Sequence, residues 1–448
     1  MAKKLSSVLG IDIGSSTIKI AEIKNSGREP MVTTLGIIGT PAGAVDHTGI
    51  FNPDAVGVAL KKVIGDSGAT VQDAVVSIAG QASVMVRTLE VPRMNEAELN
   101  EHMQWEVSRS TPFAESNVVN DFKPLRDDDP STPNMDVVMA ISPQSAVDMV
   151  VACMKRAGRK IAGIDVQPLG LARTLAICYD DIPATETVCL VDVGFKTTAI
   201  NVYRAGKLLL PRQVPIGGEM FSQAIADSLT ISFDEAEKMK LESGSIPEGT
   251  GRSATPVSPF SSGAAAPAYN PFADPASSPP PVAEPTMGTS SSFDPFSAAP
   301  PAQPADAVIP EPVEAPADAV GQVPPTPAPP MSAPPAGSMP IPQENPEAVR
   351  VYNAFSSVLS EFLEEVRRSI DFFRSRGGSI DRILISGGGA KLRGLSEYLS
   401  EALQLPCDSY DPLRRLNINV RKVAPEFIDE HRQQFAVAVG NGLYPFFD

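Results

Sequence analysis

The chain has 448 residues, long enough for two or more domains with their own cores. Its formal net charge of −16 argues against a nucleic-acid partner held through phosphates. The four cysteines form no CxxC pair, and the three histidines show no ligand spacing. A zinc site and a disulfide scaffold are therefore not expected. No apolar run reaches the roughly 18–20 residues of a membrane span. Asp12 interrupts the N-terminal segment before a signal-peptide core can form. A soluble cytosolic protein with reduced thiols is expected.

The first element is an apolar strand, Val8 to Ile13, ending in Asp12-Ile13-Gly14. A small polar turn, Ser15-Ser16, leads into a second apolar strand carrying Lys19. Glycine there lets the backbone turn and brings N–H groups close to a bound anion. Pro53–Asp66 reads as a helix, followed by strands at Ala74–Ala79 and Val84–Val91. Asn95-Glu96-Ala97-Glu98 carries the signature of a capped helix start, and Leu99, Met103 and Val107 make its apolar stripe. Trp105 falls on the flank of that stripe, either as a half-buried packing residue or as an anchor for a partner. Strands at Val118–Pro124 and Met135–Ser142 and a helix from Pro143 to Ala157, stopped by Gly158, complete a β-β-α-β-β-α unit over residues 71–158. It begins after one element of the main sheet and ends before another, Ile161–Val166, and so reads as an inserted subdomain. Gln167-Pro168 closes that strand and opens the helix Leu169–Cys178. Two roles are open for Gln167, orienting a water beside a phosphate cleft or capping the helix. Asp165, two residues earlier, is a candidate base if its side chain faces a cleft.

Cys189-Leu190-Val191-Asp192-Val193-Gly194-Phe195-Lys196-Thr197 copies the opening hairpin, with Ala199 standing where the first copy has Lys19. Two such hairpins can face each other across a cleft and hold a metal-bound nucleotide triphosphate from both sides. Strands at Thr187–Val193, Thr197–Tyr203 and Leu208–Val214 form a meander. Gly217-Gly218 then opens the helix Met220–Ser228, whose first N–H groups are free to meet phosphate or ribose. In the next helix Glu237 and Lys240 share a face, as a surface ion pair or as a ribose and adenine contact. Residues 245–345 then break the pattern. They hold 26 of the 44 prolines, no Leu, Lys, His, Trp or Cys, and a net charge of −8. Such a segment cannot bury enough apolar area to offset its ordering entropy, so it reads as disordered. Closing so long a loop costs only about 2 kcal/mol more than closing a ten-residue one, which a folded domain tolerates. Asn270-Pro271-Phe272 and Asp294-Pro295-Phe296 are docking motifs or scattered aromatics on a tether. Apolar residues from Val351 to Phe373 recur at helical spacing in a long helix. A buried strand, Ile383–Ser386, runs into Gly387-Gly388-Gly389, a turn that lets backbone lie flat against a base or ribose.

This order of motifs resembles the actin-like ATPase superfamily. Within it the chain is most similar to the PilM family of type IV pilus assembly proteins, in the FtsA/PilM branch. The closer likeness rests on Leu9–Lys19, on Val91-Pro92 leading to Gln104-Trp105-Glu106 and Pro112-Phe113, and on Ala236–Lys240, Gly387–Leu395 and Gln434–Gly440. The Pro-rich insert departs from the family pattern. The resemblance implies an α/β actin-like fold with two lobes around a nucleotide cleft. Residues 1–70 and 159–180 would form subdomain 1A and residues 71–158 the inserted subdomain 1C. Residues 181–244 and 346–424 would form the second lobe around the insert, with 425–448 returning to the first. It further implies that ATP and Mg²⁺ are the cofactors, with Asp12 and Asp192 facing the metal through water. Gly14, Ser15 and Ser16 would contact phosphates on the first side, Gly194 and Thr197 on the second, with Lys19 compensating their charge. Gln167 would orient a water, and Gly217 and Gly218 would line the phosphate and ribose. Glu237, Lys240, Gly387, Gly388 and Gly389 would hold the adenosine. No strong base is evident, so an ATPase would turn over slowly at best.

The implied function is a cytoplasmic scaffold at the inner face of the membrane, in a type IV pilus or type II secretion platform. It would bind the N-terminal segment of a PilN-like inner-membrane protein between subdomains 1A and 1C, assemble into a ring, and touch the membrane only through partners. The alternative is an FtsA-like division protein that polymerises on the membrane. It calls for a basic amphipathic C-terminal helix, and Asn441–Asp448 carries no basic residue. A small-molecule kinase would need a carboxylate base in the cleft.

Overall fold

The computed structural model describes residues 5–26, 29–113, 117–125, 132–253 and 345–447. The first lobe opens with an antiparallel meander, β1 (Ser7–Ile13), β2 (Thr17–Ser26) and β3 (Glu29–Gly39). Helix α1 (Pro53–Ser67) follows. The Asn52 side chain accepts from the Ala55 N–H at its start, and Gly68 ends it at a φ of 75°. Next come β4 (Asp73–Ile78), β5 (Met85–Pro92), α2 (Glu96–Ser110), β6 (Val118–Pro124), β7 (Asn134–Pro143), α3 (Gln144–Ala157) and β8 (Lys160–Val166). Helix α4 (Gln167–Cys178) leads to the second lobe, which holds β9 (Thr187–Val193), β10 (Thr198–Arg204), β11 (Lys207–Val214), α5 (Gly218–Leu229) and α6 (Phe233–Ser243). After the insert come α7 (Pro346–Ser375), β12 (Arg382–Ser386), α8 (Leu395–Leu403) and β13 (Cys407–Ser409). The chain closes with β14 (Asn417–Ile418), α9 (Pro425–His431) and α10 (Ala436–Gly442).

The six-stranded sheet of the first lobe runs β14-β3-β2-β1-β4-β8, and the five-stranded sheet of the second runs β11-β10-β9-β12-β13. A third sheet, β5-β7-β6, belongs to the inserted unit. The succession of elements across residues 71–158 is the expected one, but the inserted part is smaller. Strand β4 pairs with β1 and β8 in the main sheet, and Val150, Cys153 and Met154 of α3 join the first-lobe core. The inserted core is instead built by Leu99, Met103 and Val107 of α2 against Val137, Met139 and Ile141 of β7. Trp105 projects from α2 with 55% of its surface exposed and Arg109 stacked over its ring at 4.8 Å, so it is no packing residue.

Two boundaries differ from the sequence reading. Residues 245–253 are folded. Ser245 bridges to Arg393, Ile246 is buried, and a short 3-10 turn spans Thr250–Ser253. Composition alone could not separate them from the rest of the Pro-rich stretch, because their order comes from the second lobe on which they lie. Residues 254–344, with both Pro-Phe motifs, lie outside the described residues. The chain also re-enters the first lobe before residue 425. β14 pairs with β3, and Leu413 and Leu416 pack with Ile23, Val32 and Leu35.

Helix α10 then lies directly on β1. A side chain at Gly10 would come within 1.9 Å of the Ala438 carbonyl oxygen, and one at Gly440 within 2.0 Å of that of Gly170. Asn441, fully buried, donates to the Ile11 carbonyl at 2.8 Å and exchanges hydrogen bonds with Ser77. The end of β1, where Asp12 sits, is thereby held from behind.

Candidate nucleotide cleft

A cavity of about 650 Å³ lies between the lobes, walled by both Asp-x-Gly hairpins. The hairpins have the same backbone. Gly14 N–H donates to the Thr17 carbonyl at 3.1 Å, and Gly194 N–H to that of Thr197 at 3.0 Å. Residues Asp12, Gly14, Ser15, Ser16, Lys19, Asp192, Gly194 and Thr197 all line the cleft.

Their chemistry is not the same. Cross-strand pairing sets Lys19 opposite Asp12 and Ala199 opposite Asp192. Lys19 Nζ lies 3.0 Å from Asp12 Oδ2 with both side chains largely buried. Asp192 has no such cation on its own strand pair. Burial, and then the charge of Asp12, push its carboxyl up to about 6. Lys19 and hydrogen bonds from Gln167 and Ser386 oppose that rise.

Gln167 does not cap α4. The cap residue is Val166, and the Gln167 amide donates to Asp192 Oδ2 at 2.6 Å from the cleft wall. Its carbonyl oxygen remains for a water. Asp165 points elsewhere. It pairs with Arg173, whose guanidinium also lies 5.0 Å over the Tyr444 ring, and it does not line the cleft. The base that a small-molecule kinase would require is therefore not supplied by Asp165.

The start of α5 differs from expectation. Gly218 N–H donates to the Gly194 carbonyl at 3.0 Å and Glu219 N–H to that of Phe195 at 2.8 Å, so these groups are not free for phosphate. A side chain at Gly217 would come within 2.3 Å of the Phe195 carbonyl oxygen. The two glycines seat the second hairpin on the helix start. Gly218 still lines the cleft, whereas Gly217 does not. Facing them, Lys240 Nζ contacts Glu237 Oε2 at 2.8 Å, Ser222 Oγ at 2.7 Å and the Gly218 carbonyl at 2.9 Å. Burial lowers the Lys240 pKa, with Glu237 opposing. Glu237 and Lys240 are thus an ion pair, and one that lines the cleft.

Gly387 turns the chain at a φ of +88°, with Val193 O 2.4 Å and Asp192 Oδ1 2.8 Å from where a side chain would begin. It lies beneath the cleft, which Gly388 and Gly389 line. Sequence reasoning missed Lys391, His431 and Gln434, which line the same corner, and Asp46 and His47 on the opposite rim. Lys391 lies two residues after the last glycine of the turn, and that proximity was a signal in the sequence. The others enter through tertiary packing.

Among the described residues no cluster of three or more His, Cys, Asp or Glu side chains could hold a metal ion by itself. The pair Asp12 and Asp192 instead suits a cation that keeps most of its waters, as Mg²⁺ does. Burial first, and then the Asp12 charge, raise the Asp192 pKa; a cation between the two carboxylates would oppose the second of these, so the residues present fit such an ion.

Two lobes, each built on an Asp-x-Gly hairpin, with a cleft between them and a small sheet inserted into the first, define the actin-like ATPase fold. The chain belongs to the type IV pilus assembly protein PilM family, whose model matches residues 10–265. The model for cell division protein FtsA matches residues 189–440. Among solved structures, the PilM-PilN type IV pilus biogenesis complex superposes with a TM-score of 0.69 at 22% identity over 100% of both chains. FtsA of Bacillus subtilis (strain 168) is 36% identical over 95 residues, 21% of each chain. FtsA of Porphyromonas gingivalis (strain ATCC BAA-308 / W83) is 24% identical over 258 residues, 52% of each. The chain spans between a fifth and about half of these curated relatives. Among the described residues no helix is long and apolar enough to cross a membrane.

Proposed function

We propose that this protein is an ATP-binding scaffold of a type IV pilus or related type II secretion platform, and that it binds the cytoplasmic N-terminal segment of a PilN-like membrane protein. The observation that carries the nucleotide half is the pair of matching hairpins with unequal carboxylates facing one cavity. Asp12 and Asp192 would hold hydrated Mg²⁺, which supplies charge neutralisation for the phosphates. Gly14, Ser15 and Ser16 offer donors on one side, Gly194 and Thr197 on the other, and Lys19 adds a cation. Glu237, Lys240, Gly388 and Gly389 would border the nucleoside. Gln167, anchored on Asp192, is the water-orienting candidate among the described residues, so hydrolysis would be slow.

Family membership and the likeness to the PilM-PilN complex support the partner half. The junction between the first lobe and the inserted sheet is the proposed seat of the partner segment. The protein would then sit at the inner face of the cytoplasmic membrane through its partner and assemble there as a ring. The FtsA match over the second lobe keeps one alternative, a division protein that polymerises on membranes with ATP.

Thermal stability with Mg-ATP and with a synthetic PilN-type N-terminal peptide tests the reading. Saturating ATP, at 100–1,000 times its Kd, should add about 2.7–4 kcal/mol. Stabilisation by both ligands is expected. Stabilisation by ATP alone, with ATP-dependent pelleting on lipid vesicles, would favour the alternative, and no response to either would overturn the reading.

A further inference from the structure

Three lysines line the cleft on the side of the second lobe; Lys196 is paired with Glu219 at 2.8 Å, and the other two are not equally satisfied. Lys240 has three acceptors, one for each N–H of its ammonium group. Among the described residues Lys391 Nζ has one, His431 Nδ1 at 3.3 Å, and no carboxylate lies within ion-pair distance of it. Two N–H donors therefore remain beside the cavity. Burial lowers the Lys391 pKa, with Glu430 opposing, so the cation stands in a partly desolvated place. A donor so placed is costly unless an acceptor arrives.

Its one partner comes from the other lobe. Lys391 ends the short turn after β12. His431 ends α9, whose Ile428 is packed in the first-lobe core with Ala21, Ile23, Val32 and Leu35. The imidazole also rests on Phe427, with ring centres 4.7 Å apart. The charged groups facing it are Lys391 and Glu430, whose carboxylate lies 3.8 Å from Nε2; Gln434 completes its surroundings. His431 accepts from Lys391 only while neutral. Burial first, then Lys391, lowers its pKa, so near pH 7 the contact holds. Protonation would set two cations side by side and remove the acceptor.

The geometry points to a clamp for the nucleoside end of the nucleotide. Lys391 donates to acceptor atoms of a purine nucleoside, and His431, from the opposite lobe, is the positioning residue that holds Lys391 there. This corner is bounded by Gly388, Gly389 and Gln434, whereas the two hairpins and their carboxylates claim the phosphate end. The inference rests on the nucleotide-cleft reading above.

Kd for Mg-ATP would be measured by calorimetry on the full chain at pH 7.5 and pH 5.5, for the wild type, Lys391→Met, His431→Leu and His431→Gln. Melting temperatures without ligand would report folding. A hydrogen bond from a charged donor corresponds to roughly tenfold in affinity, so Lys391→Met should bind about tenfold more weakly at pH 7.5. His431→Leu should lose several-fold. His431→Gln, which keeps an acceptor and cannot titrate, should match the wild type at pH 7.5. At pH 5.5 the wild type should bind more weakly than His431→Gln. Asp192 titrates in both proteins, so their ratio isolates His431. Folded variants that all bind like the wild type, with a pH-independent ratio, would overturn the clamp and leave the nucleotide cleft standing. A wild type that binds no nucleotide at either pH would overturn both.

Discussion

The two Asp-x-Gly hairpins share a turn and a hydrogen-bond pattern, yet their carboxylates live in different fields. Asp12 has Lys19 across the strand pair, and Asp192 has Ala199. Two residues further along the second strand of each hairpin, the first copy has Ala21 and the second has Asn201, both fully buried. Backbone repetition builds a symmetric cradle, and side-chain divergence makes it polar. One carboxylate has a lysine ion pair, and the other has a hydrogen bond from Gln167 and no cation on its own strand pair.

The strongest way to break this comparison is Asp12→Ala. It removes one of the two cleft carboxylates and leaves Lys19, 14% exposed, without its partner. The Mg-ATP stabilisation of about 2.7–4 kcal/mol at saturation should vanish, and the apo protein should lose about 2 kcal/mol. Urea unfolding with and without Mg-ATP reads both quantities. Full retention of the ATP effect in a folded variant would refute the role of Asp12.

A second test concerns pH. A carboxyl whose folded pKa is raised binds more protons in the native state than in the unfolded one between the two values. The contribution of Asp192 is therefore fully present below the unfolded pKa of about 4 and is lost as pH rises through about 6. It is at most about 3 kcal/mol. The apo wild type should thus lose stability from pH 4 to pH 6.5 relative to Asp192→Asn, in melting curves free of divalent ions. Mg²⁺ should flatten that difference. Parallel curves for the two proteins would show that Asp192 carries no such strain.

The smallest effect belongs to Asn201. Both polar atoms of its side chain are buried without a hydrogen-bond partner among the described residues. Asn201→Val, similar in volume and suited to a strand, should stabilise the protein by about 1 kcal/mol in equilibrium unfolding. A loss of that size would show that a buried water or an alternative lobe position satisfies the amide.

Much of this molecule was legible in its residues because the signals are local. Asn95 with Glu98 and Gly158 marked helix ends where the structure has them. The repeat of Asp12-x-Gly14 at Asp192-x-Gly194 announced the cleft, and every hairpin residue singled out lines it. The glycines were harder. Gly217 and Gly387 looked like ligand contacts, but glycine is required equally where another backbone comes close, and here those backbones are Phe195 and Val193. Trp105 stood open between packing residue and partner anchor, because periodicity places it beside an apolar stripe without telling which neighbours are present to cover it.

Sequence by itself determined the element order, the two-hairpin repeat, the family, and the compositional break after the second lobe begins. Those features rest on residue preferences acting over a few positions. Tertiary structure alone decided the rest. β4 joins the main sheet, Gln167 reaches Asp192, Asp165 turns to Arg173, and His431 meets Lys391 from forty residues away and from the other lobe. These are pairings between distant segments. They depend on which faces meet when the sheets pack, which no local preference encodes.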